Sequence, residues 1–412
     1  LGGMLTLGIP SYRLEKDIIN SEIDVLRELG IHFKTGIEVG KDLTINDLRE
    51  EGYEAFYLAI GAQEGRKLNI EGEDTQGVMS GVDFLREVNL GNKIDATGNI
   101  IVIGGGNVAI DVARTALRSG SKSVEMFCLE SRTEMPALSE EIEEALDEGI
   151  QINNSWGPTK IISKNNRVVG IEFMKCISVF NAEGQFSPTF DEKSTKIVEA
   201  NHILISVGQS IQWGNLVKDT KVTLRGNKTI EVDPRTLQTN EADIFAGGDV
   251  ATGPKFAIDA IALGKEAAIS IHRFVQPGQS LIIGRDRREY TAFDKDKLIL
   301  EGYDNTPRQR IEHASGDVAK TSFKDLRGTL SEEQVVKETE RCLGCGATKV
   351  DPYVCVGCGA CTTKCKFDAI SLVKKYDKSS VEIANLKKVV MKNAIKRKGI
   401  ILTRNVTKVF KK

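Results

Sequence analysis

Six of the chain's eight cysteines fall between residues 342 and 365, and Cys355, Cys358, Cys361 and Cys365 have the spacing C-x2-C-x2-C-x3-C. Thiolates with two residues between them can reach three irons from one turn of backbone, so this run is the ligand pattern of a ferredoxin-type [4Fe–4S] cluster. Lys366 stands where such runs usually carry proline. Cys342 and Cys345 bring the clustered thiolates to six, two short of two complete cubanes. One cluster is expected; a second would need non-cysteine ligands, a partner or a three-iron form. The alternative is structural zinc on Cys342, Cys345, Cys355 and Cys358, which leaves Cys361 and Cys365 without a role. Cys128 and Cys176 stand in apolar strand-like surroundings and read as inert core residues.

The second chemical signature is "IVIGGGNVA", which fits G-x-G-x-x-A at Gly104, Gly106 and Ala109. In that pattern Gly104 allows a tight turn, Gly106 lets the backbone approach a pyrophosphate, and Ala109 lets helix pack closely on strand. Gly105, Asn107 and Val108 complete the loop, and the helix it opens turns free N–H groups and its positive end toward the phosphates. A plain strand-to-helix turn is the bland alternative. Glu130, 24 positions after Gly106, stands where an acid can hold an adenosine ribose and repel a 2′-phosphate. That favours NADH over NADPH, while Arg132 nearby argues the other way, and an ordinary surface acid is the competing reading of Glu130.

A third loop, "AGGDV" at 246–250, follows an apolar strand and precedes a helix. Gly247 and Gly248 permit close approach to a ligand, Asp249 can accept from a ribityl hydroxyl, and the helix starting near Ala257 points its positive end at an anion. Gly61 in "LAIGAQ" and Gly208 in "LISVGQS" mark strand ends where a small residue is needed.

The elements that must carry these loops are legible around them. "NIIVIGGG", "NVAIDVARTALRSG" with its stop at Gly120, and "SVEMFCLE" read as a βαβ unit. Before it come a helix, "EKDIINSEIDVLRELG", closed by Gly30, and strand-like "IHFKTG" and "AFYLAIGA". After it come a helix, "SEEIEEALDEG", then strands "RVVGIEFMKCISVF" and "NHILISVG", then strand, loop and helix over 241–275. Residues 276–330 are polar and read as a surface-wrapped linker, and "SEEQ" at Ser331–Gln334 has capping-box spacing before the cysteines. From Lys387 to Lys412 there are ten Lys and Arg and no acid, which suits a solvated tail or a docking surface for an acidic redox partner.

The rest of the composition excludes more than it selects. With 412 residues, 40% hydrophobic, 28% charged and a net charge of −2, the chain is an ordinary globular protein of two or three domains with no nucleic-acid signature. Its most apolar run, "FAIDAIALGKEAAISI", is broken by Asp259, Lys265 and Glu266, so no membrane helix is expected. Clustered thiols in a large chain point to a reducing compartment, the cytoplasm. His32, His202, His272 and His313 show no ligand-like spacing.

Together "GGMLTLGIPSYRL", "LAIGA", "GGGNVAIDVARTALR", "EMPA", "VGQS", "DPRTLQT" and "FAGGDVATGP…AIDAIALGKEAA" give residues 1 to about 275 a resemblance to the glutamate synthase small-subunit family of NAD(P)H:FAD oxidoreductases, in the pyridine nucleotide-disulfide oxidoreductase class. The flavin portion of dihydropyrimidine dehydrogenase is similar. The resemblance implies an α/β chain in which an NAD(P)-binding domain is inserted into an FAD-binding domain, two nested Rossmann-like folds, followed here by a small α+β ferredoxin-like module. The expected divisions are 1–95 and 241–275 for the FAD domain, 96–240 for the NAD(P) domain, 276–330 for the linker and 331–412 for the iron–sulfur domain with its basic tail. Carried over by motif, Gly2, Gly3, Met4, Arg13, Gly61, Gly248, Asp249 and residues near Ala257 touch FAD, and Gly104 to Val108 hold the nicotinamide nucleotide.

Two departures stand out. Leu129 and Glu130 replace the family's arginine pair, which supports NADH. The family's first FAD glycine fingerprint and its N-terminal iron–sulfur domain, which precede "GGM", are absent from this sequence, whose first residue is Leu; the expectation is a fragment with its FAD half truncated. The parts have a common logic in electron number: a nicotinamide gives two electrons as hydride, a cluster takes one, and a flavin handles both. The expected function is an electron-input subunit passing electrons from NAD(P)H through FAD to a cluster and a partner, in a hetero-oligomer, with no side chain acting as catalytic acid or base. The alternative is a non-catalytic relay or assembly subunit with a degenerate flavin domain.

Overall fold

The computed structural model describes residues 1–283, 285, 306–341, 355–364, 370–373 and 383–409. The chain divides into two compact units, Leu1–Gly344 and Cys345–Lys412.

The first unit is built on a five-stranded parallel sheet ordered Val78–Ser80, His202–Ile205, Asn99–Ile103, Ser123–Cys128, Gln151–Asn154. Asn99–Ile103 is central and apolar on both faces, as a parallel strand covered twice must be. Its alternate residues diverge. Ile100 and Val102 join Val124, Met126 and Leu204 under the helices Gly81–Asn89 and Asn107–Arg118, which contribute Phe84, Leu85, Ile110, Val112 and Ala113. Ile101 and Ile103 join Phe127, Ile203 and Ile205 on the opposite side, against Ile161, Val168, Ile171 and Phe173. Those partners belong to an antiparallel sheet of Trp156–Lys164, Arg167–Phe180 and Phe186–Glu199. The first turn of that sheet is Asn165–Asn166, both at positive φ (53° and 60°), the two-residue geometry that matches strand twist. Phe127 and Phe173 stack between the two sheets with centroids 4.0 Å apart.

A separate parallel pair joins Phe56–Leu58 to Ile244–Ala246, 188 positions apart in register. Its core gathers Ile45, Leu58, Ala62, Ile230, Ile244, Ala246 and Val250, and the helix Ala257–Phe274 closes one side with Phe274 edge-on to Phe245. The five-stranded sheet is thus an insertion between strands that pair with each other, the nested α/β arrangement.

Most elements lie where the periodicity places them. The helix Lys16–Glu28 ends before Gly30 (φ 88°), Asn107–Arg118 ends before Gly120 (φ 97°), and Ser331 and Gln334 form a complete capping box on the helix Glu332–Glu340. The segment "IHFKTG" is a correction: it is coil, because no strand among the described residues lies beside it to accept a ladder. The linker is also more than a surface wrap. Arg118 Nε donates to the Ser322 carbonyl at 2.9 Å, Arg327 donates to the Arg13 carbonyl, and Gly316 lies so close to Asp147 that an added Cβ would stand 2.0 Å from its carbonyl oxygen.

Candidate functional site

The glycine loop sits at the C-terminal end of Asn99–Ile103, where the strand turns into Asn107–Arg118. Its three glycines differ in what an added Cβ would meet. Gly104 has φ 139°, and a Cβ there would lie 2.3 Å from the Ser206 carbonyl. A Cβ on Gly105 would meet the Glu130 carboxylate at 2.8 Å and Cys128 Cβ at 3.0 Å. Gly106 has an ordinary φ of −93° and nothing nearer to such a Cβ than Pro136 at 3.9 Å. Gly104 is therefore demanded by the fold and Gly105 is closely enclosed, whereas Gly106 opens onto space.

Gly106 is also the N-cap of Asn107–Arg118 and supplies no side-chain cap to the first-turn N–H groups. Asn107 turns away, its Oδ1 accepting from the Leu138 backbone at 2.9 Å, and Ala137 donates to the Gly105 carbonyl, so the 135–138 segment borders the loop. Ala109 is fully buried and approaches Gly104, while Val108 packs against the core beneath the helix. An extended, Cβ-free backbone in front of uncapped amides fits a pyrophosphate.

Glu130 holds its carboxylate over this loop from the end of Ser123–Cys128. Its position is fixed through the main chain: its carbonyl accepts from Ser155 N at 3.0 Å and from Asn154 Nδ2 at 3.2 Å. Arg132, two residues on, is exposed. Cys128 lies beside Glu130 and is inert, because burial, reinforced by the Glu130 charge, pushes its thiol up to about 12. Burial raises Cys176 likewise.

The second loop follows Ile244–Ala246. A Cβ on Gly247 would stand 2.2 Å from the Tyr57 hydroxyl, and Gly248 has φ 69°. Asp249 is half-buried; burial raises its pKa, against the lowering effect of hydrogen bonds from the Lys255 and Ala62 amides. Through those amides Asp249 ties the Gly61 turn (φ 70°) to the start of the helix that begins at Ala257. Gly208 (φ 104°) is joined to the same neighbourhood by Arg66, whose amide donates to the Gly208 carbonyl at 3.0 Å. A carboxylate held between two loops at a helix start, with glycines on its flank, fits the ribityl side of a flavin.

Gly2, Gly3 and Met4 lie at the start of the four-residue helix Met4–Leu7. Arg13 is ion-paired: its Nη1 donates to both Asp111 oxygens at 2.8 and 2.9 Å, and its Nη2 contacts Glu141. Around it lies a buried network for which no role was expected. Arg114 and Arg118 both lie over the Tyr12 ring, at 4.9 and 4.0 Å from its centroid, and Glu148 accepts from both arginines. The sequence did hold a signal: Arg114/Arg118 and Glu144/Glu148 are each an i,i+4 pair, matching charged ridges on two successive helices.

In the second unit Cys355 and Cys358 are exposed and Cys361 is half-buried within the short helix Ala360–Lys364; Gly357 and Gly359 between them have φ 65° and 79°. These are accessible thiols on a glycine-loosened turn, unlike Cys128, but among the described residues the structure gathers no three Cys, His, Asp or Glu side chains closely enough to hold a metal ion. Cys342, Cys345 and Cys365 lie outside the described residues.

The sequence profile of the "pyridine nucleotide-disulphide oxidoreductase" family matches residues 7–264, well over half of the chain. The chain belongs to that family. A second profile, "4Fe-4S binding domain", matches residues 348–371. The cofactors of this oxidoreductase are accordingly FAD, NAD(P)H and a [4Fe–4S] cluster. Among curated relatives, it is 32% identical over 356 residues to the "NADP(+)-dependent formate dehydrogenase subunit beta" of Moorella thermoacetica, covering 84% of this chain and 49% of that protein. It is 29% identical over 294 residues to the "Glutamate synthase [NADPH] small chain" of Escherichia coli, covering 67% and 62%. The oxidoreductase thus spans about half to two-thirds of the length of these relatives. Mycobacterium tuberculosis FprA, solved in complex with NADPH, shares the fold with a TM-score of 0.55 at 17% identity, over 66% of this chain and 75% of that one. No helix among the described residues is long and apolar enough to cross a membrane.

Proposed function

We propose that the chain is an electron-input module: NAD(P)H binds at Gly104–Val108, FAD at the Gly61, Gly248–Asp249 and Ala257 region, and electrons leave singly through a cluster on Cys355, Cys358, Cys361 and Cys365 to a partner subunit. The observation that carries the reading is the succession, in one polypeptide, of the oxidoreductase match at 7–264 and the iron–sulfur match at 348–371. A hydride donor and a one-electron acceptor need a two-to-one converter between them, which is the chemistry FAD supplies when bound. The chain's own work is then binding. Uncapped amides of Asn107–Arg118 take the pyrophosphate, Glu130 takes the ribose, and Asp249 orients the flavin side chain. The domain divisions follow the same reading: 1–95 with 241–275 for flavin, 96–240 for nucleotide, 276–330 as linker and 331–412 for the cluster. Clustered thiols support a reducing compartment, the cytoplasm, and the relatives named as a "subunit" or "small chain" support a hetero-oligomer.

The nucleotide is NADH in this reading. The relatives whose names specify a nucleotide specify NADP(H), so the preference rests on Glu130, whose carboxylate stands beside Gly105 where a 2′-phosphate would be repelled. The test is reduction of a one-electron dye by the full chain, prepared without oxygen, with each nucleotide. Dye reduction by NADH, with a kcat/KM ratio that shifts toward NADPH in Glu130→Ala, is expected. Retained FAD and iron with no nucleotide-dependent dye reduction would sink the electron-input role, and a higher kcat/KM for NADPH in the unaltered chain would sink the NADH preference alone.

A further inference from the structure

With the pyrophosphate on the 104–106 loop and a ribose on Glu130, the adenine ring has no assigned partner. Sheet order says where it falls. The glycine loop ends Asn99–Ile103, Glu130 follows the neighbouring Ser123–Cys128, and next in the sheet is Gln151–Asn154. The base, one glycosidic bond beyond the ribose, therefore points toward the end of that third strand.

Backbone contacts carry the antiparallel sheet to the same place. The Ser155 amide donates to the Glu130 carbonyl at 3.0 Å, the Cys176 amide donates to the Ser155 carbonyl at 2.9 Å, and Cys176 stands opposite Phe190 in the register of Arg167–Phe180 with Phe186–Glu199. The edge of the Phe190 ring and the Leu129 side chain close over one glycine: a Cβ on Gly157 would meet Phe190 Cε1 at 2.5 Å and Leu129 Cδ2 at 2.8 Å. Phe190 is thus anchored beside the residue that precedes Glu130, yet it is 37% exposed. The hairpin that presents it is braced. Asn181 Oδ1 accepts from the Glu183 and Gln185 amides at 3.1 and 2.8 Å, and the Ser178 and Thr189 hydroxyls lie 2.9 Å apart across the two strands.

The other aromatic rings of this region are already engaged. Lys175 and Lys196 hold their Nζ atoms 5.0 and 5.5 Å from the Trp156 centroid, Phe127 stacks on Phe173, and Phe180 meets Phe186 edge-on at 6.3 Å. Phe190 has no such ring or cation partner among the described residues. The Asn154 amide is spent on Cys128 Sγ and the Glu130 carbonyl, so it is not free for a base edge. We propose that Phe190, with Leu129 at its edge, is the wall on which the adenine stacks, so that the antiparallel sheet lends a binding residue to the nucleotide held by the parallel one. A flat, partly exposed apolar ring suits a base, which is gripped through its π-face. The assignment rests on the nucleotide site proposed at the 104–108 loop.

The test is calorimetric titration of the full chain, prepared without oxygen, with ADP-ribose, which carries the adenosine end, and with reduced nicotinamide mononucleotide, which lacks it. Phe190→Leu keeps an apolar side chain over Gly157 but no flat ring, and Phe190→Tyr keeps the ring. ADP-ribose affinity should fall about fivefold or more in Phe190→Leu and stay near that of the unaltered chain in Phe190→Tyr. Affinity for the mononucleotide should hold in both. Phe186→Ala, which removes a more exposed ring from the same hairpin, should change neither affinity. Unchanged ADP-ribose affinity in Phe190→Leu, an equal loss for both ligands, or an equal loss in Phe186→Ala would overturn the inference while leaving the nucleotide site standing. No ADP-ribose binding by the unaltered chain would remove that site and the inference with it.

Discussion

Gly106→Ala separates a ligand's demand from the fold's. Gly106 has φ −93° and ψ 174°, extended backbone that alanine adopts freely, and the nearest atom to an added Cβ is Pro136 Cγ at 3.9 Å, ordinary van der Waals contact. The structural penalty is that of alanine for glycine at an N-cap, about 1 kcal/mol at most. A dinucleotide, by contrast, needs the space the methyl would fill. Losing one charge-assisted hydrogen bond between a backbone amide and a phosphate costs about 1.5–3 kcal/mol, which is roughly 10- to 150-fold in Kd. Calorimetric titration of the full chain with NADH and NADPH, alongside urea unfolding, reads both quantities on one preparation. The expected outcome is a near-native urea midpoint with nucleotide affinity reduced by at least about tenfold. Unchanged affinity would refute the assignment of the loop to the phosphates, since no contact within the fold explains a glycine at 106. Gly104→Ala is the contrast: a Cβ 2.3 Å from the Ser206 carbonyl should cost stability outright.

Three further outcomes follow from the same geometry. Glu148→Gln leaves the buried Arg114 and Arg118 without their shared carboxylate and should destabilise the first unit by about 3–5 kcal/mol in urea unfolding, with less than about 1 kcal/mol counting against the network. Asp111 is pushed up to about 6 by burial despite Arg13, so its protonation favours the fold: that contribution is complete below the unfolded value near 3.8 and lost as pH rises through about 6. The stability of Asp111→Asn relative to the unaltered chain should therefore fall by up to about 3 kcal/mol between pH 7 and pH 4, and a difference independent of pH would contradict the raised value. Cys358→Ser should abolish the broad visible absorbance of anaerobically prepared protein and its iron content without changing nucleotide affinity; zinc at full occupancy in the unaltered chain would remove the cluster from the reading.

What was legible in the sequence was what is encoded locally. Asn99–Ile103, its glycine loop and Asn107–Arg118 could be placed because an apolar run, three glycines and a helical period are contiguous, and the same holds for the "AGGDV" loop and the capping box at Ser331. The hairpin turn at Asn165–Asn166 and the coil at "IHFKTG" were less legible, because whether an extended segment becomes a strand depends on a neighbour distant in sequence. Arg13 shows the limit for sites. Its motif context associates it with FAD, yet its guanidinium is held by Asp111 and Glu141, 98 and 128 positions away. Charge complementarity of that range cannot be read from spacing; through it Tyr12 and Arg13 fasten the start of the chain to the helix Asn107–Arg118. The linker adds Arg327 and the Ser322 carbonyl to the same attachment. The segment that leads toward the cysteines is therefore fastened to the helix that would hold the phosphates, and a substitution such as Arg118→Ala would loosen nucleotide helix, chain start and linker together.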